Sequence, residues 1–163
     1  MAEEGVRPAT EADLPAILEL EAALRAELSP MRGGAVWAVR EARPQPLEAG
    51  YQALLERPDA LVVVGTIDGT PVGFGVGEVE TLQDGTRLGV VGELFVDPEA
   101  RAVGVGEAML GSLVDFFAAA GCIGADAFAL PGHRVTKNFF EESGFSARAI
   151  VMHHRMTPPE PVE

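Results

Sequence analysis

The sharpest chemical signal in the chain is Asp97-Pro98-Glu99-Ala100-Arg101-Ala102-Val103-Gly104-Val105-Gly106. It lies between a strand-like run and a run with helical spacing. Glycines let successive backbone N–H groups approach an anion closely. The start of the following helix adds unpaired N–H donors and the positive end of its dipole. A pyrophosphate is the natural guest of such a turn, and Arg101 can supply a full charge or order the turn. A tight strand–helix turn without any ligand has the same requirements, so these residues alone leave both readings open. The dinucleotide-binding pattern would need a third glycine where Met109 stands, and the phosphate-loop ending Gly-Lys-Ser/Thr is absent.

A second group of residues bears on proton transfer and acceptor binding. Glu93 sits on the strand that leads into the turn. A carboxylate there can take a proton from an amine, directly or through water, or it can serve as an inter-strand charge pair. Strand alternation puts Glu93 on the opposite face from Leu94. Glu78 and Glu80 share one face of the neighbouring strand and are weaker candidates for the same task. Trp37, the only tryptophan, falls between two helical segments, where it can stack on a cationic amine or cover core. His133 opens a helical segment. His153-His154 lack a spaced set of partners, so no metal site is expected. Cys122 starts a strand and reads as core. It is the only cysteine, so no intrachain disulfide can form.

These residues need elements to position them. Val6 to Ala9 reads as a short strand. Thr10-Glu11-Ala12-Asp13 is a helix-start pattern. Leu14, Ile17, Leu18, Leu24 and Leu28 then follow with helical spacing, up to Ser29-Pro30. Residues 30–46 read as an irregular loop, and Leu47 to Arg57 as a second helix. Ala60 to Ile67 is a valine-rich strand. Asp68-Gly69 predicts a type I′ hairpin, followed by alternation of Val72, Phe74 and Val76 with glycines. Asp84-Gly85 marks another hairpin before the strand Arg87 to Asp97. Leu110, Leu113, Val114 and Phe117 make an apolar helix stripe, with Gly121 as its C-cap. Cys122 to Leu130 reads as a strand, His133 to Ser143 as a helix ended by Gly144, and Phe145 to Met156 as a final strand. This order predicts a mixed sheet in an α/β (α+β) domain.

At 163 residues the chain suits one domain. Residues 1–156 are expected to form it, with 157–163 as a frayed tail. The formal net charge of −13 argues against a nucleic-acid backbone as partner. It is compatible with a cationic amine or with simple solubility. Lys137 is the only lysine among twelve basic residues, which reads as a composition bias. No apolar stretch reaches the roughly 20 residues of a membrane span. The acidic Met1-Ala2-Glu3-Glu4 is unlike a signal peptide, so a cytoplasmic location is expected.

The arrangement resembles the GNAT N-acetyltransferase superfamily. Arg101-x-x-Gly104-x-Gly106 matches that family's Gln/Arg-x-x-Gly-x-Gly/Ala pattern. Glu93 to Pro98 is similar to its preceding strand, and Glu141-Glu142-Ser143-Gly144-Phe145 to its closing Glu-x-x-Gly-Phe segment. The blocks are in register over roughly residues 5–156. The resemblance implies a mixed central sheet of about six or seven strands flanked by about four helices. It implies acetyl-CoA as co-substrate, no metal, and direct attack by a small-molecule or peptide amine in a ternary complex. A homodimer is compatible with it. The backbone of Leu94, Phe95 and Val96 would meet the pantetheine arm and the acetyl group, and its N–H groups would face the developing oxyanion. Arg101, Ala102, Val103, Gly104, Val105 and Gly106 would cradle the pyrophosphate. His133 stands where many relatives carry an asparagine near the CoA arm. Trp37 falls in the region that lines the acceptor site. Phe140 takes the place of a common tyrosine that is thought to protonate the departing thiolate. The alternative is therefore an acyl-CoA-binding regulatory module with little or no transfer.

Overall fold

The computed structural model describes residues 2–101 and 104–162. In chain order the elements are β1 (Glu4–Pro8), α1 (Leu14–Leu28), α2 (Gly34–Arg40), α3 (Leu47–Glu56), β2 (Ala60–Ile67), β3 (Thr70–Thr81), β4 (Arg87–Val96), α4 (Val105–Ala119), β5 (Ala125–Ala127) and α5 (Arg134–Glu142). The strands form one sheet in the order β1-β2-β3-β4-β5. Every neighbouring pair is antiparallel except β4 and β5, which run parallel.

Local chemistry explains the central meander. Asp68 (φ 48°) and Gly69 (φ 79°) both take positive φ, as a type I′ turn requires. At the next hairpin, Asp84 Oδ1 accepts from the Thr86 N–H at 3.0 Å and from its hydroxyl at 2.6 Å. The sheet is covered on both faces. On one, Leu14, Ile17, Tyr51 and Leu54 pack on Val62, Val64, Phe74 and Phe95. On the other, Val105, Met109, Leu113 and Phe117 of α4 pack on Val63 and Val91, with Phe140 beside them. Burying each of these large side chains is worth about 1.5–3 kcal/mol.

Helix α4 packs close on the sheet because the strands beneath it carry glycines. A Cβ on Gly65 would overlap Val105. One on Gly77 would stand 2.7 Å from the Phe117 ring, and one on Gly89 would overlap that ring. The alternation of glycine with Val72, Phe74 and Val76 is thus a groove for a helix.

The structure corrects the sequence reading in four places. Five strands and five α-helices are present among the described residues, not six or seven strands and four helices. Phe145 to Met156 forms no strand. Arg148 Nε donates to Asp126 at 2.7 Å, but Ile150, Val151, Met152 and Met156 are exposed. The strand expected over Cys122 to Leu130 shrinks to β5. Its first residues are committed elsewhere: the Cys122 N–H bonds to Phe117 O at the end of α4, and the Ile123 N–H to Arg87 O. The supposed loop over 30–46 contains α2, whose N-cap Gly33 takes φ 84°.

Candidate active site

The strand leading into the glycine turn opens along one edge. Val76 pairs with Glu93 and Gly77 with Val91, which leaves Gly92 as an extra residue, a β-bulge. Pairing of β4 with β5 covers Gly89 to Val91 only. Beyond the bulge the Asp97 N–H donates to Val72 O at 2.8 Å. Alternation therefore turns the backbone groups of Leu94 and Val96 toward the open edge. Val96 O accepts from Arg101 Nε there at 2.9 Å.

The glycine turn continues this edge. Gly104 (φ 87°, ψ −1°) is the N-cap of α4 and has no side chain with which to cap it. The first intrahelical bond runs from the Ala108 N–H to Gly104 O at 3.1 Å. The N–H groups of Val105, Gly106 and Glu107 precede that bond, so the helix itself supplies them no acceptor. A Cβ at Gly106 would meet Phe139 and Val96 at 3.6 Å, so the glycine keeps this wall of the cleft thin. Together these elements line a cleft of about 270 Å³ that also touches Trp37, His133 and Phe140.

Arg101 is tied to its surroundings by its guanidinium. Its guanidinium contacts both oxygens of Glu27, at 3.0 and 3.1 Å, and lies 5.3 Å from the Phe95 ring centroid. Val105 is buried in the core at the first turn of α4. Ala102 and Val103, also expected in the turn, lie outside the described residues.

Glu93 touches the cleft but is held from behind. Its Oε1 pairs with Arg43 Nη2 at 2.5 Å, and its Oε2 accepts from Arg43 Nε at 3.0 Å and from the Tyr51 hydroxyl at 2.8 Å. Burial pushes the Tyr51 phenol well above its ordinary value, and the Glu93 charge raises it further. Burial opposes the charge on Arg43, but the hydrogen bonds and charge of Glu93 more than offset it, so that pKa also rises. Both partners therefore stay protonated and keep donating to the carboxylate. Arg43 is itself positioned by Arg25, which donates to Arg43 O at 3.0 Å and to Glu21 at 2.9 Å. Glu78 pairs with Arg57 at 2.6 Å and lies 3.6 Å from Arg43.

Other expected residues converge on the same cleft. Trp37 lines it from α2 while packing on the core cluster of α1 and α3. His133 precedes α5, with Nδ1 2.7 Å from Thr136 Oγ1 and Nε2 3.9 Å from Glu27. Phe140 is buried between Phe139 and Phe145, with ring centroids 5.4 and 5.3 Å away. Tyr51 has no exposed surface and its hydroxyl is committed to Glu93. Glu27, Arg43 and the role of Tyr51 escaped the sequence reading. Their partners lie 74, 50 and 42 residues away, so no local pattern marks them. Among the described residues no group of three or more His, Cys, Asp or Glu could hold a metal. None of their helices is long and apolar enough to cross a membrane.

The model of the acetyltransferase (GNAT) family matches residues 22–145. The chain belongs to the GNAT acetyltransferase family, and the mixed sheet with helices on both faces is that fold. No curated protein sequence matches it. Among solved structures it is similar to glucosamine-6-phosphate N-acetyltransferase from Arabidopsis thaliana (17% identity, 95% of this chain and 99% of that one, TM-score 0.70). It is similar to an acetyltransferase of Trypanosoma brucei (22%, 94% and 100%, TM-score 0.68). It also resembles the aminoglycoside N-acetyltransferase AAC(6')-Iy, solved in complex with CoA (16%, 96% and 96%, TM-score 0.72). At these identities the likeness is one of fold.

Proposed function

We propose that this protein is an acetyl-CoA-dependent N-acetyltransferase. The observation that carries the reading is one continuous cleft in which an uncapped helix start meets an open strand edge. The residues fit the group. Gly104, Val105 and Gly106 would bind the pyrophosphate through N–H groups that no side chain claims. Leu94 and Val96 would hold the pantetheine arm along the open edge of β4, with Phe95 between them paired to Phe74 of β3, and His133 and Phe140 would line its path. Arg101 would hold the turn in shape through Glu27 rather than contact the phosphates. When bound, acetyl-CoA supplies an acetyl thioester that a primary amine can attack directly. The backbone donors of Leu94 and Val96 face the side where acyl oxygen charge would develop. Trp37 would stand at the acceptor end. Residues 1–156 would make up this unit, with 157–163 outside it.

Glu93 is better read as a positioning residue than as the base. Both its oxygens already accept hydrogen bonds from a buried arginine and a buried tyrosine. Proton removal would then fall to water. The amine itself must reach the cleft neutral.

The second reading, an acyl-CoA-binding module with weak or no transfer, is favoured by one observation. Phe140 has no proton to give, and the only tyrosine hydroxyl is tied to Glu93. Two measurements separate the readings. Calorimetric titration with CoA tests binding. Release of free CoA from acetyl-CoA, with and without amines, tests transfer. Binding with amine-dependent release supports the enzyme, binding without release supports the module, and no binding overturns both.

A further inference from the structure

The acceptor end of the cleft has a composition that the net charge of the chain does not suggest. It is walled by Leu24 and Leu28 of α1, Trp37 of α2 and Leu130 after β5. The start of α2 closes over it: a Cβ at Gly33 would meet Leu130 at 3.6 Å, and one at Gly132 would meet Arg32 at 3.7 Å. Two carboxylates line the same cleft, and each is neutralised. Glu27 is held by Arg101 at 3.0 and 3.1 Å. Glu93 is held by Arg43 at 2.5 and 3.0 Å, with Tyr51 on the same carboxylate. The cleft's other carboxylate, Glu107, belongs to the first turn of α4, where the anion is expected. His133 Nδ1 is engaged with Thr136.

From this we infer that the acceptor is a hydrophobic monoamine: a primary amine on an aryl or alkyl body with no second charge. The inference rests on the transferase reading above. A second ammonium would enter an apolar enclosure whose carboxylates are already paired with arginines. Burying such a charge unpaired is strongly unfavourable. Polyamines and aminoglycosides carry several such charges. For a monoamine the same walls help, because removal from water favours the neutral amine over the ammonium, and the neutral form is the nucleophile. The apolar enclosure thereby supplies part of what a general base would supply. The net charge of −13 bears on the approach of cations.

Because Trp37 is the only tryptophan, its fluorescence reports the acceptor end directly. The test is a titration of the purified protein, at about pH 9 to keep the amines partly neutral, with butylamine, hexylamine, 2-phenylethylamine, 1,6-diaminohexane and spermidine. Each is run with and without CoA. Affinity read from Trp37 emission should rise about fourfold per added methylene until the cleft fills. Hexylamine should bind at least tenfold more tightly than 1,6-diaminohexane, and spermidine should leave the emission unchanged. With acetyl-CoA, kcat/KM should follow the same order. A Leu28→Glu variant adds an unpaired carboxylate to the wall and should move the hexylamine-to-diamine ratio at least tenfold toward the diamine. If that variant does not fold, Trp37→Phe at the same wall should raise KM for 2-phenylethylamine severalfold and leave CoA affinity unchanged. A flat alkylamine series, or tighter binding of diamine or spermidine, overturns the inference. Failure of CoA to bind would instead overturn the transferase reading, and the fluorescence series would still decide the chemistry of the acceptor end.

Discussion

Replacing Glu93 by glutamine separates a structural tie from a catalytic base. Glutamine has nearly the same shape and can still accept from the Tyr51 hydroxyl. It cannot neutralise Arg43, whose side chain is 15% exposed. Breaking a buried pair by removing one partner costs about 3–5 kcal/mol. Glu78, at 3.6 Å from the same guanidinium, takes up part of that charge. The expected loss is therefore smaller, about 2–4 kcal/mol. For a chain of this length that lowers the melting temperature by about 5–15 °C. Removing all three polar groups together, as Arg43→Met, Tyr51→Phe and Glu93→Leu, should be milder than Glu93→Gln alone, since no charge or hydroxyl is left stranded. Thermal melts of the single and triple variants measure the cost. Acetyl transfer is then assayed well below the lower melting temperature. Transfer per folded molecule should fall less than about tenfold, against the 10²–10⁴-fold expected for loss of a needed general base. A Glu93→Gln protein that melts with the parent but loses a hundredfold or more in turnover would refute the reasoning.

The remaining predictions address the turn, the aromatic wall and the N-terminal ion pair. Gly106→Asp should fold, because its Cβ meets only ordinary contacts and an acidic residue suits a helix start, but it should lose CoA affinity at least tenfold by calorimetry. Gly104→Ala should lose stability as well, since φ is 87° and the new Cβ would stand 3.0 Å from Glu4 Oε2; equal melting temperatures for parent and variant would contradict that strain. Phe140→Tyr should leave CoA affinity within a few-fold. It should raise acetyl transfer if thiolate departure limits the rate, or cost roughly 1–3 kcal/mol if the new hydroxyl finds no partner; unchanged stability with unchanged turnover would mean that the ring does not face the departing sulfur. Hydrogen bonds from Arg7 hold Asp13 below its ordinary 3.8, at about 2. That stability is complete above about pH 4 and is lost as pH falls through about 2. Asp13→Asn should remove it, lowering stability near neutral pH by about 1 kcal/mol after allowing for the exposure of Arg7, and acid titration by circular dichroism would show a flatter acid limb.

Much of this architecture was legible because its causes are local. Asp68-Gly69 names its own turn type. The leucines of α1 show their period, and Gly104-Val105-Gly106 sits where strand chemistry gives way to helix chemistry. Helix α2 was missed because Gly33-Gly34 and the branched Val36 and Val39 all disfavour helix, and packing of Trp37 on the core outweighs that preference. The apolar run Ile150-Val151-Met152 is compatible with a strand, but composition does not say whether an edge is there to pair with, and these residues stay exposed. The pairing state of Glu93 was unreadable for a similar reason. Its sequence neighbours say that a carboxylate lies on the strand, and only the fold brings Arg43 and Tyr51 to it. The sequence left open whether Arg101 charges or orders the turn, and its contact with Glu27, 74 residues away, lies beyond any local pattern.

The glycine-lined groove under α4 also has a thermodynamic side. A glycine inside a strand gives up more backbone freedom than alanine and offers no side chain to its neighbours, at a cost of roughly 0.5–1 kcal/mol each. Gly73, Gly75 and Gly77 of β3, with Gly65 and Gly89 on either side, leave the middle of the meander weak as a free-standing sheet. Val105, Met109, Leu113 and Phe117 fill what those residues leave empty, so sheet and helix lend each other their order. Amide exchange should accordingly find β3 and α4 opening as one cooperative unit, with matched protection, while the edge strands exchange sooner. The helix whose first turn faces the cleft is thus seated on the part of the sheet that cannot stand without it.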